Sequence, residues 1–354
     1  MPGGLLNIIS VGNANLILTG NPSKTFFKVT YSKYTNFGLQ KFRLDYDGLR
    51  ELRLTEPSKF TFKIKRYADL LMDTYIVVNL PDIWSPVWAA GANTNNQVSP
   101  YEFKWIENLG AQMIEEIEIN CGSQILQRYS GQYLHSTVQR DFTEEKKHLF
   151  NKMSGNTPDL NNPSNNPYRV FTPPYQPNTY PNAVYTSNSS GAEPSIRGRS
   201  IYIPLNAWFT LDSRCAFPLV ALQYQELSIN VTLRPMADLF QVRDVFNSGE
   251  NFPFIKIRPG EDQFQMYRFL QTPPSQDISA ANYDNKTNTW DADVHLLSTY
   301  CFLSEDEKVS FAAQDQAYLI KEVHEYDFLN VVGSQRVKLQ SVSGMVSGWM
   351  WFFQ

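Results

Sequence analysis

Three residue classes in this chain could support catalysis or metal binding: four histidines, three cysteines and a run of glutamates. His135, His148, His295 and His324 are far apart, and none stands at metal-ligand spacing from a cysteine or another histidine. Cys121, Cys215 and Cys301 lie 94 and 86 residues apart without a C-x-x-C pair, which reads as buried or incidental thiols in a reducing compartment. Glu115, Glu116 and Glu118 fall in a strand pattern that puts Glu116 and Glu118 on one face. Glycosidases use paired carboxylates, but the same alternation is the polar side of an ordinary sheet. The common nucleotide, hydrolase and zinc-protease motifs are absent from the sequence. The expectation is a non-enzyme with no catalytic residue, metal or cofactor. Sequons occur at Asn188, Asn230 and Asn285. Asn230 alternates within a strand and is expected unmodified, while Asn188 and Asn285 sit in loops and are the candidate glycosylation sites.

The elements that carry these residues read as an all-β chain. At 354 residues it exceeds what one hydrophobic core usually serves, so two domains or one large β domain are expected. Aromatic residues make up 14% and charged residues 19%, prolines number 21, and helix-period stretches are scarce. The net charge of −4 argues against a dedicated nucleic-acid binder. It is uneven: residues 1–70 hold eleven Lys/Arg against five Asp/Glu, and the remainder twenty against thirty. The first residues lack a secretory signal pattern, and no apolar run reaches the ~18 residues that span a bilayer.

Residues 1–30 read as an extended arm, because Gly3, Gly4, Gly12, Gly20 and Pro22 interrupt any helix. Period-two alternation or apolar β-branched runs predict strands at Phe60–Lys65, Leu70–Leu80, Lys104–Gly110, Met113–Ile119, Arg199–Leu205 and Leu227–Leu233. Further strands are expected within 254–269, 293–302, 317–323 and 337–340. Gln127–Met153 reads as the main helical region and Glu305–Gln316 as a short helix. Residues 154–198 carry eight prolines among Asn, Ser, Thr and Tyr, and are expected to project as an ordered surface loop. The first domain is expected to end near 240–251.

Several segments resemble one protein family. Thr19-Gly20-Asn21-Pro22, Thr25-Phe26-Phe27-Lys28 and Tyr31 to Phe37 are similar to the entry arm of the major capsid proteins of nucleocytoplasmic large DNA viruses, of the mimivirus, phycodnavirus and iridovirus kind. Trp105 to Gly110 with Ile114 to Gly122 resembles a second stretch loosely. Ile201-Tyr202-Ile203-Pro204-Leu205 with Trp208-Phe209, then Pro218-Leu219, Ala221 to Tyr224 and Glu226, resembles the family's most distinctive block. Tyr300 to Lys308 resembles the segment that opens its second barrel.

The resemblance implies a double jelly-roll: two eight-stranded β-sandwich barrels side by side, with an extended N-terminal arm and short helices. The expected domains are the arm (1–30), a first jelly roll (31–245) and a second (246–354), incomplete here because family members usually run further. It implies a homotrimer with a six-sided outline that meets neighbouring capsomers, minor capsid proteins and an internal membrane surface, with no specific nucleic acid, in a virion shell made in the host cytoplasm. In the arm, Leu5, Ile8, Ile9, Leu16, Ile17, Leu18, Phe26 and Phe27 are the expected subunit or inner-shell contacts. The alternative from the composition is a carbohydrate-binding or carbohydrate-active β-sandwich, since seven tryptophans and nineteen tyrosines could stack on sugars.

Overall fold

Alternation in the sequence becomes strand where a polar and an apolar face can be separated. In chain order, β1 (Phe37–Asp45), β2 (Ser58–Lys63), β3 (Leu70–Leu80) and β4 (Phe103–Trp105) precede the short helix α1 (Leu109–Met113). Then come β5 (Ile114–Cys121), β6 (Gln124–Tyr129), α2 (Gly131–Asp141), α3 (Glu144–Met153), α4 (Pro158–Asn161), β7 (Arg199–Pro204) and α5 (Trp208–Leu211). The series closes with β8 (Phe217–Pro218), β9 (Leu227–Leu233), β10 (Phe240–Arg243), β11 (Phe254–Lys256), β12 (His295–Leu303) and α6 (Glu305–Ala313). This computed structural model describes residues 21–29, 31–86, 101–165, 180–181, 193–222, 224–258, 260–274, 280–329, 333–334, 336 and 346–351. The chain divides into two units, Met1–Phe37 and Gly38–Gln354. Among the described residues the first unit has no regular structure before Phe37.

The second unit is mainly β-sheet with short helices. One sheet has the order β2-β9-β5-β6 and another β1-β12-β3-β7, with β8 beside β3. A small third sheet has the order β11-β10-β4. The inward residues of both larger sheets, among them Phe60, Phe62, Ile76, Val78, Ile117, Ile119, Ile203, Ile229 and Leu296, belong to one contiguous core. Burial of that apolar area is the main force holding the sheets face to face. The other face of the β3 sheet is also covered: Leu70, Ala216 and Cys301 are buried there beside Met72, Leu303 and Phe311 of α6. That cover explains why β3 reads as a nearly unbroken apolar run rather than a clean alternation.

Bulges also break the alternation within β3 and at the start of β5. Ser298 pairs with Thr74 and Tyr300 with Leu71, so β3 sets two residues, Met72 and Asp73, against one on β12. The parity of β3 flips there, and Leu71 faces the same core as Ile76 and Val78. In β5, Ile114 opposes Leu233 and Glu116 opposes Thr232, leaving Glu115 as the extra residue. Ile114 and Ile117 can then both point inward.

Several expectations are corrected. Gln127–Tyr129 belongs to β6, not to a helix; helix begins only after Ser130, whose hydroxyl accepts from the Tyr133 N–H at 3.2 Å. The strand expected over Lys104–Gly110 stops at Trp105, because Asn108 takes a left-handed φ of 53° and opens α1. Residues 317–323 form no strand, with Tyr318, Ile320 and Val323 packed on the core. Of 254–269 only the first three residues form a strand; 337–340 lies outside the described residues.

The largest correction concerns the boundary near 245. β12, read from sequence as part of a second barrel, hydrogen-bonds along β3 and lies between it and β1. The 154–198 segment also differs from a simple projection. Residues 166–179 and 182–192 are outside the described residues, but Leu160 is fully buried, and Tyr180 is buried with its hydroxyl donating to the Phe103 carbonyl at 2.7 Å. The same oxygen accepts from the Phe103 N–H at 3.1 Å and meets Ser85 Oγ at 2.8 Å. Burial pushes this phenol far above its ordinary pKa, so it stays neutral.

Candidate assembly surfaces

The residues able to do chemistry are dispersed or already engaged. His148 and His324 are exposed, on α3 and beside Glu322 respectively. His135 is half-buried on α2, and burial lowers its pKa. His295 is buried at the start of β12, its Nδ1 2.6 Å from the Asp293 carbonyl oxygen. Among the described residues no group of three or more His, Cys, Asp or Glu side chains could hold a metal ion. Cys121 and Cys301 are buried free thiols pushed up in pKa by desolvation, and Cys215 is half-buried. Glu116 and Glu118 share a face as expected, but both are held by Arg128: Glu116 in a direct hydrogen bond and Glu118 at 3.5 Å. They serve as cross-strand partners in the sheet.

One charged cluster ties the fold together. Asp293 accepts from Arg43 Nη1 at 2.9 Å and from Arg50 Nη1 at 2.8 Å, linking the lead-in of β12 to β1 and to the turn after it. The Arg43 hydrogen bond, together with Arg50, holds the Asp293 carboxyl below the usual range despite some burial. A depressed folded-state pKa contributes stability that is complete above the unfolded value, about 3.9, and is lost as pH falls through the folded value. Asp293 also sits at φ 43°, which Asn tolerates as well. Asp293→Asn should therefore isolate the charge, costing about 1 kcal/mol at pH 7. In urea unfolding the gap from the unsubstituted protein should close below about pH 4; a gap independent of pH would exclude the carboxylate as its source.

The arm contacts expected from sequence are only partly within the described residues. Leu5, Ile8, Ile9, Leu16, Ile17 and Leu18 lie outside them, as does Asn188. Phe26 and Phe27 are 78% and 97% exposed. Asn285 is exposed, and its side-chain oxygen accepts from the Thr287 N–H at 2.9 Å in an Asx turn.

Two further surface features were not singled out from sequence. The first is the hairpin between β10 and β11, which carries an exposed Phe246 and two consecutive left-handed residues, Asn251 and Phe252. The turn-rich run Asp244 to Pro253 signalled only a loop, and strain at a phenylalanine leaves no compositional mark. The second is a cleft of about 180 Å³ between α3 and the β3–β7 edge, lined by Tyr75, Phe142, Leu149, Phe150 and Met153. Its lining comes from β3, α3, β7 and α5, which are distant in sequence, so no local pattern could show it.

Comparison with known proteins adds the family. Residues 25–270 match the family model described as major capsid protein N-terminus. The major capsid protein of Chrysochromulina ericina virus is 28% identical over 340 residues, covering 91% of this chain and 52% of that protein. Capsid protein 1 of Acanthamoeba polyphaga mimivirus is 28% identical over 325 residues, covering 91% of this chain and 44% of that one. The chain thus spans about half the length of the curated relatives it matches. Among solved structures, the Faustovirus major capsid protein overlays with a TM-score of 0.48 at 12% identity, covering 88% of this chain and 64% of that chain.

Proposed function

The chain belongs to the family of major capsid protein N-termini, and from that premise we propose that it is a shell-building protein working as a trimeric capsomer in an icosahedral virion. The observation that carries this reading is the strand order. Eight strands divide between two facing orders, β1-β12-β3-β7 (with β8 beside β3) and β2-β9-β5-β6, around one core. Two sheets wound in this way are the connectivity of a jelly roll, which hides strand edges and suits dense packing without uncontrolled pairing. In this reading the first jelly roll runs from Phe37 to Leu303, and the chain beyond Leu303 leads toward a second. Three such double barrels approximate six-fold packing, so a closed trimer tiles a near-flat lattice.

The function then resides in surfaces. Neighbouring capsomers and minor capsid proteins are the proposed partners, in a virion assembled from protein made in the host cytoplasm. The proposed contacts of the arm are Leu5, Ile8, Ile9, Leu16, Ile17, Leu18, Phe26 and Phe27, whose apolar side chains need a neighbour to cover them. The basic excess of residues 1–70 suits phosphate headgroups of an internal membrane. No catalytic role is assigned, and the curated relatives, being capsid proteins, give no support to the sugar-binding alternative.

Light scattering coupled to size exclusion tests the reading. A native mass near three times 40.7 kDa is the expected result. A single-chain mass at every concentration would remove trimerisation from what this chain can do.

A further inference from the structure

We infer that the pocket where the chain leaving β3 meets the segments around Tyr267 and Trp290 is a binding site for a neutral pyranose sugar ring. The site is a property added to shell building rather than a replacement for it, and it requires nothing of the trimer. Its residues come from three separate stretches: Asp82 and Trp84 just after β3, Tyr267 in the short helical turn Met266–Arg268, and Asn285, Thr287 and Trp290 ahead of β12.

The frame of the pocket is fixed before any ligand arrives. The Trp84 N–H donates to the Phe269 carbonyl at 2.9 Å, tying the first stretch to the second. The Tyr267 N–H donates to Asn288 Oδ1 at 3.0 Å and the Asn285 N–H to Gln271 Oε1 at 3.3 Å, tying the second to the third. Trp290 Nε1 donates to the Asn79 carbonyl of β3 at 2.8 Å, which locks the indole. Tyr267 is buried, and its hydroxyl donates to Asp262 at 3.0 Å. Side chains held in this way lose little freedom when a ligand binds.

Volume and lining together select the ligand class. The pocket measures about 300 Å³. A cavity of ~150 Å³ accommodates benzene, so about twice that volume admits a six-membered ring with its hydroxyl groups. The apolar part of the lining is the rings of Trp84, Tyr267 and Trp290, and the negative face of an aromatic ring attracts the weakly positive C–H face of a sugar. Around them stand polar groups with unused hydrogen-bonding capacity. Asp82 accepts from the Gly198 N–H at 2.7 Å through Oδ1, and Asn285 accepts from the Thr287 N–H at 2.9 Å through its side-chain oxygen. Among the described residues Asp82 Oδ2, Asn285 Nδ2 and Thr287 Oγ1 are left without a partner: one acceptor, one donor and one group that is both. Sugar hydroxyls, each a donor and an acceptor, match that set. Asp82 is the one charged residue in the lining among the described residues, so a phosphate or carboxylate would find no counter-charge there. A quaternary ammonium, the other guest of aromatic surroundings, would leave the Asn285 donor unmatched.

The test titrates the full chain with methyl β-D-glucopyranoside, methyl β-D-galactopyranoside and methyl α-D-mannopyranoside, following tryptophan fluorescence and saturation transfer to the sugar protons. At least one glycoside should bind saturably. Thr287→Val should weaken that binding about two- to tenfold, as loss of a neutral hydrogen bond does, and Asp82→Asn by about tenfold or more, since the bond lost is charge-assisted. Both residues are exposed, so folding is preserved and unchanged near-UV circular dichroism checks it. A glycan on a host surface and one carried by another shell protein present the same ring. Competition by the free glycoside against binding to host cells assigns the first source, and competition against binding to assembled shells the second; either supports the inference. No saturable response to any of the three glycosides overturns it, as does equal binding by both variants and the unsubstituted chain. Binding of tetramethylammonium in place of the sugars would make the pocket a cation site and overturn it too. None of these outcomes depends on the native mass, so the trimeric reading stands or falls separately.

Discussion

A fragment of residues 31–245 is expected to be unfolded, whereas residues 31–329 should retain cooperative unfolding. The reason is the position of β12. Its ladder with β3 runs from His295 opposite Val77 to Cys301 opposite Leu70, and β1 has β12 as its neighbour in the sheet. Cutting at 245 therefore empties the middle of a sheet rather than trimming its edge. It also removes Phe264, Met266, Phe269, Val294, Leu296 and Tyr300, all buried in the common core. At about 1.5–3 kcal/mol for each fully buried large apolar side chain, the loss is on the order of 10 kcal/mol. Whole domains are stable by only about 5–15 kcal/mol. The longer fragment keeps these residues and the segment after α6, where Tyr318 donates to the Ala216 carbonyl at 3.1 Å and Glu325 accepts from the Ser130 N–H at 3.2 Å. Circular dichroism and urea titration of both fragments decide the matter. A folded, cooperative 31–245 fragment would restore the domain boundary expected from sequence and make β12 an accessory strand.

The same strand marks the limit of what the sequence reveals. Most strands were legible because burial on one face imposes alternation, as in Phe60 and Phe62 against Lys59, Thr61 and Lys63. Leu70–Leu80 and Leu227–Leu233 were legible to the residue. Which strand pairs with which is a long-range property, and no local pattern distinguishes a strand closing one barrel from a strand opening the next. Residues 293–302 were thus recognised as strand but assigned to the wrong sheet. Helix boundaries failed where a single backbone choice decides them, as at Asn108 and Ser130. Among the surfaces, the exposed Phe26 and Phe27 were legible as apolar residues in a glycine-broken arm. The hairpin and the α3 cleft were not, since one depends on strain and the other on elements brought together only by folding. Tyr180 fits the ordered loop expected of the proline-rich run: it is buried and supplies hydrogen bonds to Phe103 and Ser85.

Gly131→Ala should be among the most damaging single substitutions, although alanine is ordinarily the better helix former. Gly131 is the first residue of α2, where a Gly-to-Ala change normally stabilises by up to ~1 kcal/mol through propensity and unfolded-state entropy. Here a Cβ would stand 1.9 Å from the Ala111 carbonyl oxygen and 2.5 Å from that of Ile114. Both contacts are backbone, at the junction where α1 passes into β5, and neither can swing aside as a side chain would. Relieving them means moving Ile114, which is fully buried and pairs with Leu233 of β9. Overpacking costs about 1–3 kcal/mol when neighbours can adjust, and more when they cannot. The expected loss is therefore about 3 kcal/mol or greater, which lowers the thermal midpoint by roughly 6 °C or more in a domain of this size. Gly260→Ala provides the control, since a Cβ there meets nothing within 4 Å, and its midpoint should move little. If both substitutions were equally mild, the close approach of α1 to α2 would have to be looser than the structure has it, and the packing that seats α2 against β5 would need another explanation.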